Sequence, residues 1–370
     1  MADTPTASAL LISAAPRSDR GGVQRMMERL ERALPLAGLA CARLGPDEPD
    51  PARRLRLEAG AAASGRPALG ALPGAAGSLL RLSRALARLR PSVVNLHFVT
   101  GAALYLLALR PVFGYRLVLS VHGGDLLRPT PQMRARLPGF LRAADAVTAV
   151  SDELAEAALR LGADPARLHR IPNGADIRFW SPGEPSPEPG RIVSVGRLLP
   201  IKGFDLLLDA VATLPEARVT IFGEGEARPD LEAQVARLGL GGRVALPGHV
   251  SPERLREALR GAALFAMPSR FEGMPLALIE ALACGCPAVA AGVGGVPQVL
   301  SPEAGRVVPP EDAGALREAL AEGLSGDAPY TREGARARAE RFSEDATYGA
   351  YAALLSDLAR TARGAGRRAA

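Results

Sequence analysis

Short apolar runs alternate with amphipathic stretches along almost the whole chain. "SALLIS" is apolar on both faces and predicts a strand, and "GGVQRMMERLERAL" follows with helical spacing behind two glycines. "SVVNLHFV" and "YRLVLSVHG" are β-branched runs that predict two more strands. "AVTAVSDELAEAALRLG" predicts a strand, a Ser151/Asp152 cap and a helix ending at Gly162, and "LHRIPNGAD" a short strand entering a turn. The same alternation resumes with "RIVSVGRL", "GFDLLLDAVATL", "ARVTIFGEG", "RPDLEAQVARLGL", "RVALPGHV", "SPERLREALRGA" and "ALFAMPS", with Ser251 as an expected N-cap. Strand and helix in alternation predict an α/β protein with parallel sheets. No repeat of solenoid period is present.

The twelve residues from Trp180 to Arg191, "WSPGEPSPEPGR", interrupt this alternation with four prolines and two glycines and predict a linker. The expected organisation is an N-terminal Rossmann-like domain over 1–175 and a second one over 176–342, with the linker at about 176–190. A final helix with a basic tail is expected over 343–370. A chain of 370 residues fits two cores better than one. The Gly/Ala/Pro-rich stretch 59–79 fits a loop or a weak helix.

Composition narrows the class. Hydrophobic residues make up 48%, enough to fill two cores. The three cysteines, Cys41, Cys284 and Cys286, have no metal-ligand spacing and read as small thiols in a reducing compartment. The N-terminus lacks the basic and apolar regions of a signal peptide. The best membrane candidate, "GAALYLLAL", is far shorter than the roughly 20 residues a spanning helix needs. A cytoplasmic protein is expected. The net charge is +6, with arginines grouped at Arg53, Arg54 and Arg56, at Arg81, Arg84, Arg88 and Arg90, and at Arg363, Arg367 and Arg368. No aromatic residues interleave with them, which argues against nucleic acid. A solvated basic surface and peripheral docking on anionic lipid at the inner face of a membrane both fit.

In open parallel sheets ligands gather at the carboxyl ends of strands, and several such ends carry chemistry. "SVGRLLPIKGFD" places Gly196, Arg197 and Lys202 on one strand-to-helix loop, an anion site suited to two adjacent phosphates. "RSDRGGVQR" places Gly21 and Gly22 before a helix, where a ligand can approach backbone N–H groups. "LVLSVHGGD" ends a strand with His122, two glycines and Asp125, and a histidine there is easily tuned near neutral pH. "FGEGE" carries Gly223, which fits either a ligand loop or a plain turn. "SRFEGMPLALIEALACGCP" poses the sharpest question. Its helix is apolar except for Glu280, and Glu272 precedes it in a Gly/Pro turn. A carboxylate on a buried helix is costly unless paired. Two acceptor oxygens on Glu280 suit the paired hydroxyls of a ribose. Pro275 fits the first helical turn, with the N–H groups of Gly273, Met274 and Leu276 directed outward as phosphate donors.

These motifs, in this order, resemble the retaining glycosyltransferases of family 4. They include Gly21–Gly22, "HGGD", "IPNGAD", "VGRLLPIKGFD", "FGEGEARPDLE", "LPGHVSPERL", "MPSRFEGMPLALIEALACGCPAVA" and "GVGGVPQVL", and they span almost the whole chain. The eight-residue spacing from Glu272 to Glu280 is the most specific mark. The resemblance implies a GT-B fold, two Rossmann-like domains facing across a cleft, and transfer from a nucleotide diphosphate sugar to a glycan, lipid-linked or small-molecule acceptor. It implies that Arg197 and Lys202 hold the diphosphate, that Gly22 offers it an N–H, and that Glu280 holds the ribose. Glu272 would approach the sugar with Gly273, Met274 and Pro275 around it, His122 would lie near the reacting centre and Asp125 near the acceptor. No metal or other cofactor is expected. Hinge closure is expected, with Asn173 to Pro189 and the final helix as the hinge. One position departs from the family pattern: Gln298 stands where a glutamate is common.

Other functions on a similar fold stay open, namely a sugar-nucleotide epimerase, a glycan phosphorylase and a non-catalytic sugar-nucleotide binder. A dinucleotide-dependent dehydrogenase is disfavoured because G-x-G-x-x-G is absent after the first strand.

Overall fold

A computed structural model describes residues 8–13, 22–50, 53–55 and 72–368, with side chains there except at 72–73 and 363–368. Gly21, Arg56, residues 59–71 and the side chains of Arg363, Arg367 and Arg368 therefore lie outside the described residues.

The five predicted runs of the first half pair into one sheet with a sixth strand, Ala40–Leu44, that the pattern did not mark. Its strands are β1 (Ser8–Ser13), β2 (Ala40–Leu44), β3 (Val93–His97), β4 (Arg116–Val121), β5 (Ala146–Ala149) and β6 (Leu168–Arg170). They run parallel in the order β2-β1-β3-β4-β5-β6. The four inner strands are buried almost throughout, as parallel sheets covered on both faces require, while the edge strands β2 and β6 are partly exposed. The helix Gly22–Leu36 lays Met26, Met27, Leu30 and Leu34 on Leu11, Val93 and Val118. The end of the Gly/Ala/Pro-rich stretch is helical, within Leu72–Leu89.

The second sheet contains β7 (Glu188–Val195), β8 (Arg218–Phe222), β9 (Val244–Gly248), β10 (Ala262–Met267), β11 (Ala288–Ala291) and β12 (Gly305–Val308). It is also parallel, in the order β12-β11-β10-β7-β8-β9. From β7 the chain winds outward to β9, then returns beside β7 as β10 and winds the other way. The loops after β7 and β10 therefore flank the point where strand order reverses, the place where such sheets bind ligands.

Two compact units result, Met1–Pro172 with Ala346–Ala370, and Asn173–Asp345. The chain re-enters the first unit through the helix Glu344–Arg368, whose Tyr348, Tyr351, Leu355 and Ala359 join that unit's core. The Pro-rich stretch read as a linker belongs to the second unit. Trp180 is 2% exposed. Arg336 donates to Trp180 O at 3.0 Å and Arg260 to Ser181 O at 2.7 Å. The stretch stays irregular until β7 begins at Glu188, and arginine side chains supply donors to its carbonyls. Ser151 and Ser251 cap their helices as expected, accepting from Leu154 N and Arg254 N. Burial pushes the thiols of Cys284 and Cys286 up to about 12, so both stay protonated. No described helix is long and apolar enough to cross a membrane.

Candidate functional site

The loop after β7 runs through Gly196 and Arg197 to a single tight turn, Pro200–Lys202. Gly203 closes it with φ +67, and a Cβ there would lie 2.1 Å from Pro268 O. Only glycine permits both that dihedral and that approach. The close packing brings the loop after β7 against the loop that begins at Pro268, after β10. On that second loop Ser269 is buried and Glu272 is nine-tenths buried.

The two loops meet in an ion pair. Lys202 Nζ lies 2.5 Å from Glu272 Oε1, and Ser269 Oγ donates to the same oxygen at 2.7 Å. Both hydrogen bonds fall on Oε1, which leaves Oε2 to accept from elsewhere. Lys202 is the only lysine in a sequence with 45 Lys and Arg residues. Every other cation is arginine, and the single ammonium sits at the strand-order reversal of the second sheet. A compact ammonium reaches between two loops where a planar guanidinium does not pack equivalently.

The turn carrying Glu272 is held from two further directions. Gly295 N donates to Gly273 O at 2.8 Å, and Gly294, at φ +56, lies so close that a Cβ would sit 2.2 Å from Glu272 O. Buried Asn173 donates through Nδ2 to Met274 O at 2.9 Å. Pro275, expected in the first helical turn, is instead the N-cap residue with ψ 112, and the helix runs Leu276–Ala283. The shift accompanies packing: the Gly294–Gly295 turn seats against the backbone of residues 272–274, and helical dihedrals begin at Leu276. Glu280 lies on this helix and is 2% exposed. It is a carboxylate inside the second unit, not an edge residue reaching solvent.

Arg197 is exposed, and its backbone carbonyl accepts from Leu199 N at 2.8 Å. Gly196 lies beside the Lys202 stem, and Gly223, at the end of β8, packs on the Gly196 carbonyl. The second unit therefore brings Lys202, Glu272, Gly196, Gly273 and Met274 together, with Pro275 capping the following helix and Glu280 on it.

The first unit places His122 and Asp125 after β4. Asp125 ties its own loop to the one after β3, accepting from His122 N at 3.1 Å, Gly123 N at 2.9 Å and Val99 N at 3.0 Å. Its carboxylate therefore shapes the loop. His122 is 7% exposed and stacks on His97, with ring centroids 5.3 Å apart and His97 Nδ1 3.1 Å from His122 Nε2. Burial lowers its pKa to about 3, so the ring is neutral at pH 7 and does not titrate near neutrality as its residue type suggested. Phe98, at φ 63, tilts against the same ring. Gly22 opens the helix Gly22–Leu36.

Several contributors were not singled out by sequence reasoning, namely His97, Ser269, Asp205 and Arg270, and Asn173 was named only as the start of the expected hinge. His97 hid inside an apolar strand run. For Ser269 the usable signal was its place three residues before Glu272.

Residues 176–342 match the family described as glycosyl transferases group 1, and residues 20–179 match glycosyltransferase family 4. Together the two matches run from residue 20 to residue 342 and support a glycosyltransferase like those of family 4. Among curated relatives, a D-inositol 3-phosphate glycosyltransferase of Xylanimonas cellulosilytica is 34% identical over 260 residues, 63% of this chain and 62% of the relative. The protein of that name in Mycolicibacterium smegmatis is 35% identical over 226 residues, 56% of this chain and 52% of its own length. The chain thus spans between half and two thirds of these relatives' length. Sucrose-phosphate synthase from Thermosynechococcus elongatus superposes with a TM-score of 0.82 at 23% identity, covering 95% of this chain and 99% of that one. Anabaena HepE in complex with UDP-glucose superposes with a TM-score of 0.72 at 19% identity, covering 95% and 99%. The fold is that of the GT-B glycosyltransferases.

Proposed function

We propose that this chain moves a sugar from a nucleoside diphosphate sugar to an acceptor with retention of anomeric configuration, and that the second unit holds the donor. The observation that carries the proposal is the Lys202–Glu272 pair at the strand-order reversal, followed one helix later by buried Glu280. Lys202 and Arg197 supply two cations for a diphosphate, and charge that develops on the leaving nucleotide is stabilised by such pre-placed groups. On donor binding the Lys202 ammonium exchanges Glu272 for phosphate oxygens. Glu272 Oε2 then accepts from a hydroxyl of the sugar, and Glu280 accepts from the ribose. His122 acts as a neutral hydrogen-bonding ring. The relatives named for D-inositol 3-phosphate favour a small phosphorylated acceptor over a polymer. The neighbour solved with UDP-glucose favours a uridine donor.

A thermal-shift panel of UDP-glucose, UDP-N-acetylglucosamine and GDP-mannose tests the donor, because a ligand that binds the folded state raises its melting temperature. One donor is expected to raise it by several degrees. No shift with any of them, together with no transfer, would sink the proposal. Protein cations suffice for the diphosphate in this scheme, so transfer is expected to be unchanged in excess EDTA. Exposed Arg81, Arg84 and Arg88, beside exposed Leu80 on Leu72–Leu89, fit peripheral contact with anionic lipid. Co-sedimentation with phosphatidylserine vesicles at low salt checks it, and a protein left wholly in the supernatant removes it.

A further inference from the structure

The Lys202–Glu272 pair joins two loops, and a second side chain clamps the same two loops a few residues away. Arg270 sits two positions before Glu272. Its guanidinium makes a bidentate contact with Asp205, Nη1 to Oδ1 at 2.8 Å and Nη2 to Oδ2 at 2.7 Å. Nη1 also donates to Pro200 O at 2.7 Å, and the Arg270 backbone N–H donates to Ile201 O at 2.9 Å. Pro200, Ile201 and Asp205 bracket Lys202 on both sides. A third segment contributes Glu311, with its carboxylate 3.8 Å from Arg270 Nε. One residue thus ties the backbone around the single lysine to the backbone that carries its carboxylate partner.

We propose that Arg270 is a positioning residue of the donor site: with Asp205 it sets where the Lys202 ammonium stands relative to Glu272, and hence how both meet a diphosphate sugar. The proposal rests on the donor reading given above. The chemistry suits the task. A planar fork on a carboxylate fixes both distance and orientation, which a lysine or a glutamine at 270 cannot do. The Arg270 and Asp205 side chains are 24% and 44% exposed. Solvent screening therefore keeps the pair's contribution to global stability small, so a loss of function on breaking it is separable from unfolding.

The lone lysine makes the test direct. Protein labelled with 15N-lysine carries one side-chain ammonium, and its NMR signal reports the surroundings of Lys202 alone. Glu272→Gln defines the signal of the unpaired ammonium. In Arg270→Gln and in Asp205→Asn the signal is expected to move at least halfway to that reference, with the melting temperature within about 2 °C of wild type. The Kd for UDP and the KM for the donor are expected to rise about tenfold while kcat falls less, as for a displaced binding group. The reversal Asp205→Arg with Arg270→Asp restores the contact and is expected to recover most of the KM. An unchanged ammonium signal in both single variants overturns the proposal, as does wild-type affinity for UDP in both. If the signal moves but wild-type protein binds neither UDP nor any sugar nucleotide, the donor reading fails and the control of Lys202 by Arg270 stands. Should Arg270→Gln not fold, Asp205→Asn, nearly isosteric, carries the same readouts.

Discussion

Lys202 is the residue on which the functional reading turns. Its neighbours explain why an ammonium stands there in a chain that otherwise uses arginine. The stem runs beside Gly196, and the charge ends on an oxygen that Ser269 also contacts. Lys202→Ala is expected to lower kcat by about 10²–10³, the usual loss when one group that stabilises developing negative charge is removed. Lys202→Arg keeps the charge but replaces the compact ammonium at Glu272 Oε1 with a longer planar fork, and is expected to lower kcat/KM about tenfold. Equal activity of the arginine variant with any donor would show that only charge matters. The stacked pair His97 and His122 gives a stability prediction. Burial holds both rings well below the ordinary histidine range, His122 to about 3. The unfolded chain, with pKa near 6.5, binds more protons than the folded one in the window between, so stability is fully present above about pH 6.5 and falls as the pH drops towards 3. Urea unfolding at pH 7, 6 and 5 should show the fall, by up to ~1.4 kcal/mol per pH unit per ring. His122→Asn should flatten it, and an unchanged slope would count against the pairing. Neither the stacking nor its neutrality was visible in "VVNLHFV" and "SVHGGD". Each histidine looks solitary there, and the parallel register of β3 and β4 is what sets them side by side.

At the scale of elements, periodicity was a good guide because each strand and helix buries its own face. Ser151 and Ser251 cap where expected, and the alternation from "RIVSVGRL" onward became β7 to β12 with their connecting helices. The errors fall where tertiary contacts override local preference. Pro275 belongs to the cap, where the Gly294–Gly295 turn seats against the preceding residues. The proline-rich stretch is irregular up to Glu188, where β7 begins, but it is packed, since Arg260 and Arg336, 79 and 156 residues from their partners, reach back to it. The Arg270–Asp205 clamp spans 65 residues and leaves no local trace. The Gly294 turn can be tested. Gly294→Ala adds a Cβ 2.2 Å from Glu272 O at a left-handed φ, so the turn must shift. It is expected to cost more than about 1 kcal/mol and to weaken UDP binding, whereas Ser251→Ala, which removes only a cap, should cost about 1 kcal/mol and leave UDP binding unchanged. Denaturant unfolding and calorimetric titration of the two variants separate these outcomes.

Across the whole molecule, each unit has its own sheet, its own core and its own share of the candidate residues, and the last helix returns to complete the first unit. Tyr351 on that helix is fully buried and its hydroxyl lies 3.1 Å from Thr148 Oγ1, which in turn bonds Ser120. Lys202, Glu272, Glu280 and Arg197 all lie within Asn173–Asp345. Multidomain chains need not melt in one step, so the two cores can be perturbed and read separately. Tyr351→Ala removes a large side chain from the first core only, which should cost about 3–5 kcal/mol there, as for other large aromatic truncations. UDP, by binding the second unit, should raise that unit's transition by RT ln(1 + [L]/Kd). Differential scanning calorimetry is therefore expected to resolve two transitions, the lower one moved down by Tyr351→Ala and the other moved up by UDP. The Lys202→Ala variant should keep both transitions and lose the response to UDP. A single transition shifted equally by the mutation and by the nucleotide would contradict an independent second core, and a UDP response retained in Lys202→Ala would place the nucleotide elsewhere.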